Sequence, residues 1–328
     1  MKIIKLTRYF FKQYTTFPDR VFMGLTLYGF IFGAVLISLN EIDFRFTTAL
    51  LFMTHVGPIN WLKAVCLLLF GSIFLFYGMY IRKELPRSST FIWGLGLFFW
   101  CVFVNIICTN GLQATPFPPI DNTLVKFDQW MGINTPAIIA WTHNHPRIHN
   151  MLNFLYDTLT LELIFIPIIL ALCNAQKALG VFFIAELSSF FVGGAIYYFF
   201  PTMAPSGVFH SPYFSVAQHA TSLRFYEVHH YLQLTTTDGG LIAFPSFHVI
   251  WAILLTNACR AKKIFFYPMV CLNIIIIAST VLLGWHYFAD VIAGVVLAIG
   301  GVVFAEWVWK HSDVYNRTAN EVSHSETK

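Results

Sequence analysis

The sequence predicts an all-α, polytopic membrane helical bundle, and three observations predict it. Hydrophobic residues make up 57% of the 328-residue chain and charged residues 11%, whereas a water-facing globular surface carries roughly 25% charge. Apolar runs recur at about 20 residues, the length a helix needs to span the hydrocarbon core with every backbone polar group paired inside the segment. The basic residues also sort to one set of connections, as polytopic topology requires. With a mean hydropathy of +0.66 the chain is neither disordered nor a coiled coil, and its solid apolar runs do not alternate as the strands of a membrane β-barrel would. The net charge of +4 contains no basic run of the kind nucleic acid needs, so no nucleic-acid partner is expected.

The elements follow in order. Residues 1–20 mix Lys2, Lys5, Arg8 and Lys12 with aromatics and read as a cytoplasmic amphipathic lead-in, not as a cleaved signal peptide. About eight spans follow, near 21–39, 62–81, 90–110, 155–173, 179–200, 246–259, 264–284 and 287–309, with the sixth short for a full crossing. Residues 21–89 form two additional transmembrane helices, 90–309 a six-helix catalytic core and 310–328 a cytoplasmic tail. Eight spans put both termini on one side. That side holds the N-terminal lysines and arginines, Arg82 to Arg87, Lys177, Arg260 to Lys263 and the tail, and is therefore cytoplasmic. The opposite side keeps Arg45, Lys63, Lys126, Arg147 and Arg224, although it has the two longest loops, 112–153 and 201–244. Histidine sorts the other way, with only His311 and His324 inside, so the chemistry faces out. All six cysteines lie within or at the ends of apolar stretches, and no disulfide framework is expected.

Two stretches place ionisable groups at outer helix mouths. In Phe244-Pro245-Ser246-Phe247-His248, Pro245 suits a first helical turn and Ser246 can bond an orphan N–H or an anion. In Gly284-Trp285-His286-Tyr287-Phe288-Ala289-Asp290, His286 and Asp290 are four apart and share a helix face. A carboxylate on one imidazole nitrogen fixes the tautomer and leaves the other as a nucleophile. Both stretches open helices that enter from the same side, so two histidines and an aspartate can converge. That is the minimum set for phosphoryl transfer: His286 attacks phosphorus, Asp290 orients it and His248 protonates the departing alkoxide. The helix N-termini at Ser246 and Trp285 would add backbone donors for phosphate oxygens.

The Pro-Ser-x-His element followed some forty residues later by His-x-x-x-Asp resembles the type 2 phosphatidic acid phosphatase superfamily, which also contains vanadium haloperoxidases. Phe200-Pro201-Thr202 with Ala204-Pro205, and Thr115-Pro116 with Asp121, Asp128 and Gly132, are similar to its inositolphosphotransferase branch, typified by inositol phosphorylceramide synthases. The resemblance covers roughly residues 90–309. It implies His286 as nucleophile, His248 as acid and no metal or other cofactor. The arginine that the superfamily's phosphatases usually carry six residues before the nucleophile is Thr280 here, preceded by Ser279, and their upstream Lys-x6-Arg-Pro element is missing. Arg224 is the nearby cation left to serve the phosphate, with hydroxyls from Thr202, Ser206, Ser246 and Thr280 beside it.

These features lead to the expectation of a membrane-embedded lipid phosphotransferase or lipid phosphate phosphatase, its active site extracytoplasmic and membrane lipids its substrates. Tyr156 and Asp157 stand at the outer end of the fourth span, where Tyr156 meets a polar headgroup or anchors the interface. Asp121 and Asp128 read as turn-forming residues beside Pro118 and Pro119. His143, His145 and His149, like His229 and His230, lack acidic or thiol partners at ligand spacing, and no metal is assigned to them. Glu162 and Glu186 lie within apolar spans, where charge is costly. They support a competing expectation, a proton-coupled lipid or solute transporter, and a catalytically degenerate member is the third.

Overall fold

The computed structural model describes residues 13–39, 61–230, 232, 235 and 243–325, side chains at 61–64 and 313–325 excepted. Lys2, Lys5, Arg8 and Lys12 of the lead-in, Arg45 and the basic side chains of the tail beyond residue 312 lie outside that description, as does the side chain of Lys63. The described residues fold as helices α1 (Phe17–Leu39), α2 (Trp61–Tyr80), α3 (Pro86–Gln113), α4 (Asp121–Trp130), α5 (Thr135–His143), α6 (Pro146–Leu172), α7 (Gln176–Phe199), α8 (Pro205–Val208), α9 (Val216–His229), α10 (Phe247–Ala258), α11 (Lys263–Leu282) and α12 (Phe288–Ser325), with no strand among them.

Among the described residues, seven helices are long and apolar enough to cross a membrane: α1, α2, α3, α6, α7, α11 and the Phe288–Ser312 part of α12. The sequence counts eight. The sixth expected span is the short apolar α10, whose 12 residues cover about 18 Å at 1.5 Å per residue, well under the ~30 Å core. A helix this short reaches only part of the way through the bundle.

The most buried helix is α7, which packs against α1, α3, α6, α10 and α12 and forms the axis of the bundle. The α2–α3 hairpin lies to one side, closed by glycines: a Cβ at Gly96 would stand 2.4 Å from the backbone nitrogen of Leu75, and one at Gly78 2.5 Å from that of Trp93. No larger side chain fits there without parting the helices.

The bundle has two chemically distinct ends. At one, Asp19 in the first turn of α1 is buried and accepts from both terminal nitrogens of Arg82 (2.7 and 3.1 Å) and from the indole of Trp93 (2.9 Å). Lys177 and Arg260 meet Glu306 at that end as well. At the other end the two expected loops are largely helical, α4 and α5 between α3 and α6, and α8 and α9 between α7 and α10. Local chemistry accounts for them: Asn134 caps α5, and Ser215 with Gln218 forms a capping box on α9. Replacing Asp19 with alanine strands Arg82 and Trp93 together, which costs roughly 3 kcal/mol for a buried pair broken on one side. D19A protein in detergent is expected to unfold several degrees below wild type, while R82K, which keeps the charge, falls less; a thermal melt followed by size-exclusion fluorescence reads both.

Candidate active site

The mouths of α10 and α12 meet at the end remote from Arg82. The Ser246 N–H donates to the Asp290 carbonyl (3.2 Å), and a Cβ at Gly294 would lie 2.8 Å from the Ser246 carbonyl oxygen. Glycine at 294 therefore permits an approach that brings the rings of His248 and His286 to 5.7 Å between centroids. Pro245 does not open the helix, contrary to the sequence expectation: Ser246 is the N-cap, its hydroxyl accepting from Val249 N–H, so Pro245 lies in the turn before it.

His286 sits in the turn between α11 and α12 and is buried. Its Nδ1 faces two oxygens, the Ala243 carbonyl at 3.0 Å and Asp290 Oδ2 at 3.2 Å. A carbonyl oxygen only accepts, so the proton resides on Nδ1 and Nε2 carries the lone pair. Burial pushes this imidazole down to about 4, with the Ala243 carbonyl opposing the shift, which keeps it neutral and nucleophilic near pH 7. Asp290 is fully buried and its Oδ2 also accepts from the Tyr287 N–H at 2.9 Å. His248, in the first turn of α10, stacks on Tyr156 of α6 with centroids 4.5 Å apart, and the tyrosine hydroxyl lies 3.4 Å from its Nδ1.

Several expected phosphate contacts are engaged elsewhere. The Thr280 hydroxyl donates to the Ile277 carbonyl, and the residue serves the site through its own carbonyl, which accepts from the N–H groups of Trp285 and His286. Thr202 is buried and accepts from Ala204 N–H at 3.4 Å, and Ser206 bonds Gln218 and Ser222. Arg224 is buried on α9, where desolvation lowers its basicity and Glu227 opposes that. The expectation that the N-terminus of the last helix binds phosphate is overturned: Asp128 takes the N–H groups of Phe288 (2.9 Å) and Ala289 (3.0 Å), and Asp290 takes that of Tyr287.

Asp121 and Asp128 are also not the turn residues the sequence suggested. Both lie on α4 and point inward, Asp121 accepting from Met203 N–H (2.9 Å) and the Tyr287 hydroxyl (2.9 Å). Burial raises both carboxyls above the ordinary aspartate value, and those bonds offset part of the shift. Their spacing of seven with Leu124 between them puts all three on one helix face, a signal legible in the sequence. Gln218 anchors the same region by donating to the Leu283 carbonyl at 2.9 Å. Among the remaining candidates, Glu186 accepts from Cys101 and Asn105 inside the core, and Glu162 faces Thr158 and Asn273 without closing a hydrogen bond of normal length. His143 and His149 approach to 5.4 Å beside Tyr213. His229 stacks on Phe225.

Fold and site together define an integral membrane helical bundle that gathers two histidines and a carboxylate at the mouths of two adjacent helices. A family model described as the PAP2 superfamily matches residues 122–304, more than half the chain, and the chain belongs to that superfamily, whose members are generally phosphatases or phosphotransferases. No curated protein and no solved structure matches it. Since Asp128 caps the helix that carries Asp290, D128A is expected to cost about 1–2 kcal/mol of stability and to lower turnover by about an order of magnitude through a displaced His286; D128N, which keeps one acceptor, recovers part of both in parallel melting and turnover measurements.

Proposed function

We propose that the chain is a lipid phosphotransferase or lipid phosphate phosphatase working through a phosphohistidine, without a metal, at the extracytoplasmic face. The observation that carries this reading is the convergence of His248 and His286, 5.7 Å between ring centroids, with Asp290 and the Ala243 carbonyl holding Nδ1 of His286. His286 Nε2 attacks phosphorus and the N–P bond forms as the P–O bond to the leaving alcohol breaks. The leaving oxygen takes its proton from His248. Positive charge grows on His286, and the buried carboxylate of Asp290 stabilises it. Water or a lipid alcohol then gives a proton to His248 and displaces the phosphoryl group from His286.

The charge distribution supports the outer face: Arg82, Lys177 and Arg260 lie at the end opposite the histidines, and basic residues favour the cytoplasmic side. Transfer is favoured over hydrolysis, and with it the inositolphosphotransferase-like branch, because Thr280 stands where superfamily phosphatases carry a cation. Arg224, buried on α9 with Glu227 acting on it, is the cation this reading gives the phosphate.

Purified protein incubated with phosphorus-labelled and headgroup-labelled phospholipids, with and without a chelator, tests this reading. H286A is expected to lose phosphoenzyme and at least ~10⁴-fold in turnover, H248A about 10²–10⁴-fold, and the chelator nothing. Unchanged turnover in H286A, or its loss on chelation, overturns the mechanism. The pH dependence follows from the nucleophile. With His286 near 4, the lone pair is present above that value and lost to protonation below it, so kcat/KM is expected to fall as pH drops through about 4; a limb near the ordinary imidazole value would contradict a buried neutral nucleophile.

A further inference from the structure

Tyr156 is the side chain whose surroundings the transfer scheme leaves unused. It is buried well inside α6, which begins at Pro146 and not near residue 155 as the sequence suggested, and its ring lies between two others. His248 stacks on it at 4.5 Å and 19°, and Trp285, the residue before the nucleophile, at 5.7 Å and 4°. Its hydroxyl lies 3.4 Å from His248 Nδ1.

The two imidazoles have partners of different charge, and the difference matches the charge each ring must gain or lose. His286 begins neutral and becomes cationic as its nitrogen bonds phosphorus, and its Nδ1–H faces a carboxylate and a carbonyl. Burial and the neighbouring His286 disfavour a charged His248 ring, so in the proposed scheme it becomes cationic with the phosphate anion bound beside it and returns to neutral as the leaving oxygen takes its proton. A carboxylate beside it would hold that proton and make it a poorer acid. A neutral hydroxyl satisfies the buried Nδ1–H without adding charge.

We propose that Tyr156 is the positioning residue of the general acid. Its hydroxyl accepts from Nδ1–H of His248 so that Nε2 is the nitrogen that exchanges the proton, and its ring, packed between His248 and Trp285, keeps the acid and the nucleophile's turn in one stack. The inference rests on the phosphohistidine reading above. In the first half-reaction Nε2–H passes to the leaving alkoxide while Nδ1–H stays on the tyrosine oxygen. In the second, the incoming water or alcohol returns a proton to Nε2. The ionisable groups around His248 are consistent with this division. His286 acts on it directly and Asp290 is bound to His286. Asp157 acts on Tyr156 itself, and Glu162 and Glu186 face Asn273 and Asn105.

Y156F keeps the stack and removes the acceptor. On a lipid phosphate with an alkoxide leaving group, kcat is expected to fall about tenfold at unchanged KM. The basic limb of kcat against pH moves down by about one unit, since an unsatisfied N–H is costlier on the buried cation than on the neutral ring. On p-nitrophenyl phosphate, whose leaving group needs no proton, the nitrophenolate burst matches wild type. In an H248A background the added Y156F change costs less than twofold. A basic limb that does not move, a burst reduced as much as lipid turnover, or a tenfold loss persisting without His248 would each show a packing role only and overturn the proposal. H286A run alongside separates the two levels: turnover surviving there overturns the phosphohistidine reading itself, whatever Y156F does.

Discussion

The close crossing of α10 and α12 at Gly294 is the constraint on which the site depends. With no side chain at 294, the last helix reaches within bonding distance of the start of α10, and the Ser246 N–H closes on the Asp290 carbonyl. One contact thereby fixes the register of two helices whose first turns carry His248 and Asp290. The mouths of both helices are closed over by the surrounding elements, and His286 and Asp290 are buried there. The low-dielectric setting keeps His286 neutral and makes each hydrogen bond around it stronger and each unmade one costlier.

The secondary scaffold follows from the same burial. A helix N-terminus in a dry site needs partners for its free N–H groups, and in α12 two aspartates supply them, Asp128 from α4 and Asp290 from within the helix. The amphipathic α4 is therefore a brace and not a connection. Its inner face holds Asp121, Leu124 and Asp128 against Tyr287 and the 288–289 backbone, while Phe127 and Trp130 remain exposed on the other side. Gln218 braces the preceding turn from α9 through the Leu283 carbonyl. The two long connections thus clamp the residues on either side of His286.

Much of this was legible in the sequence, for physical reasons that also explain the failures. Long apolar runs have one stable solution in lipid, so most spans could be placed within a few residues; α6 starts at Pro146 and not near 155, because its first turns are too polar to read as a span, and α10 falls short. His286 and Asp290 could be paired because both lie in one helical turn. His248 required the topological step that its helix opens at the same end. What could not be read was the use of polar residues already satisfied by the fold. Thr280, Thr202 and Ser246 look like phosphate ligands as residue types, yet Thr280 and Ser246 bond backbone of their own helices and Thr202 that of its own turn. Asp121 and Asp128 look like turn residues beside Pro118 and Pro119, whereas their spacing of seven with Leu124 between them marks one face of a helix.

The loss of cations and the burial of the imidazoles form one consistent arrangement. A site lined with arginine and lysine stabilises a highly charged phosphate monoester, but in a dry pocket each such cation needs its own counter-charge or pays for desolvation. Here the carboxyls around His286 are held by backbone N–H groups and a tyrosine hydroxyl, the buried Arg224 has Glu227 acting on it, and His286 is an uncharged ring. On the proposed reading, such a pocket would disfavour a free dianion relative to a phosphodiester carrying a single charge, whose two ester substituents leave fewer oxygens to solvate. A diester also has an alcohol to lose and a second to accept, which is the chemistry of moving a headgroup between lipids. The proposed exchange of one ester for another rests on that electrostatic arrangement.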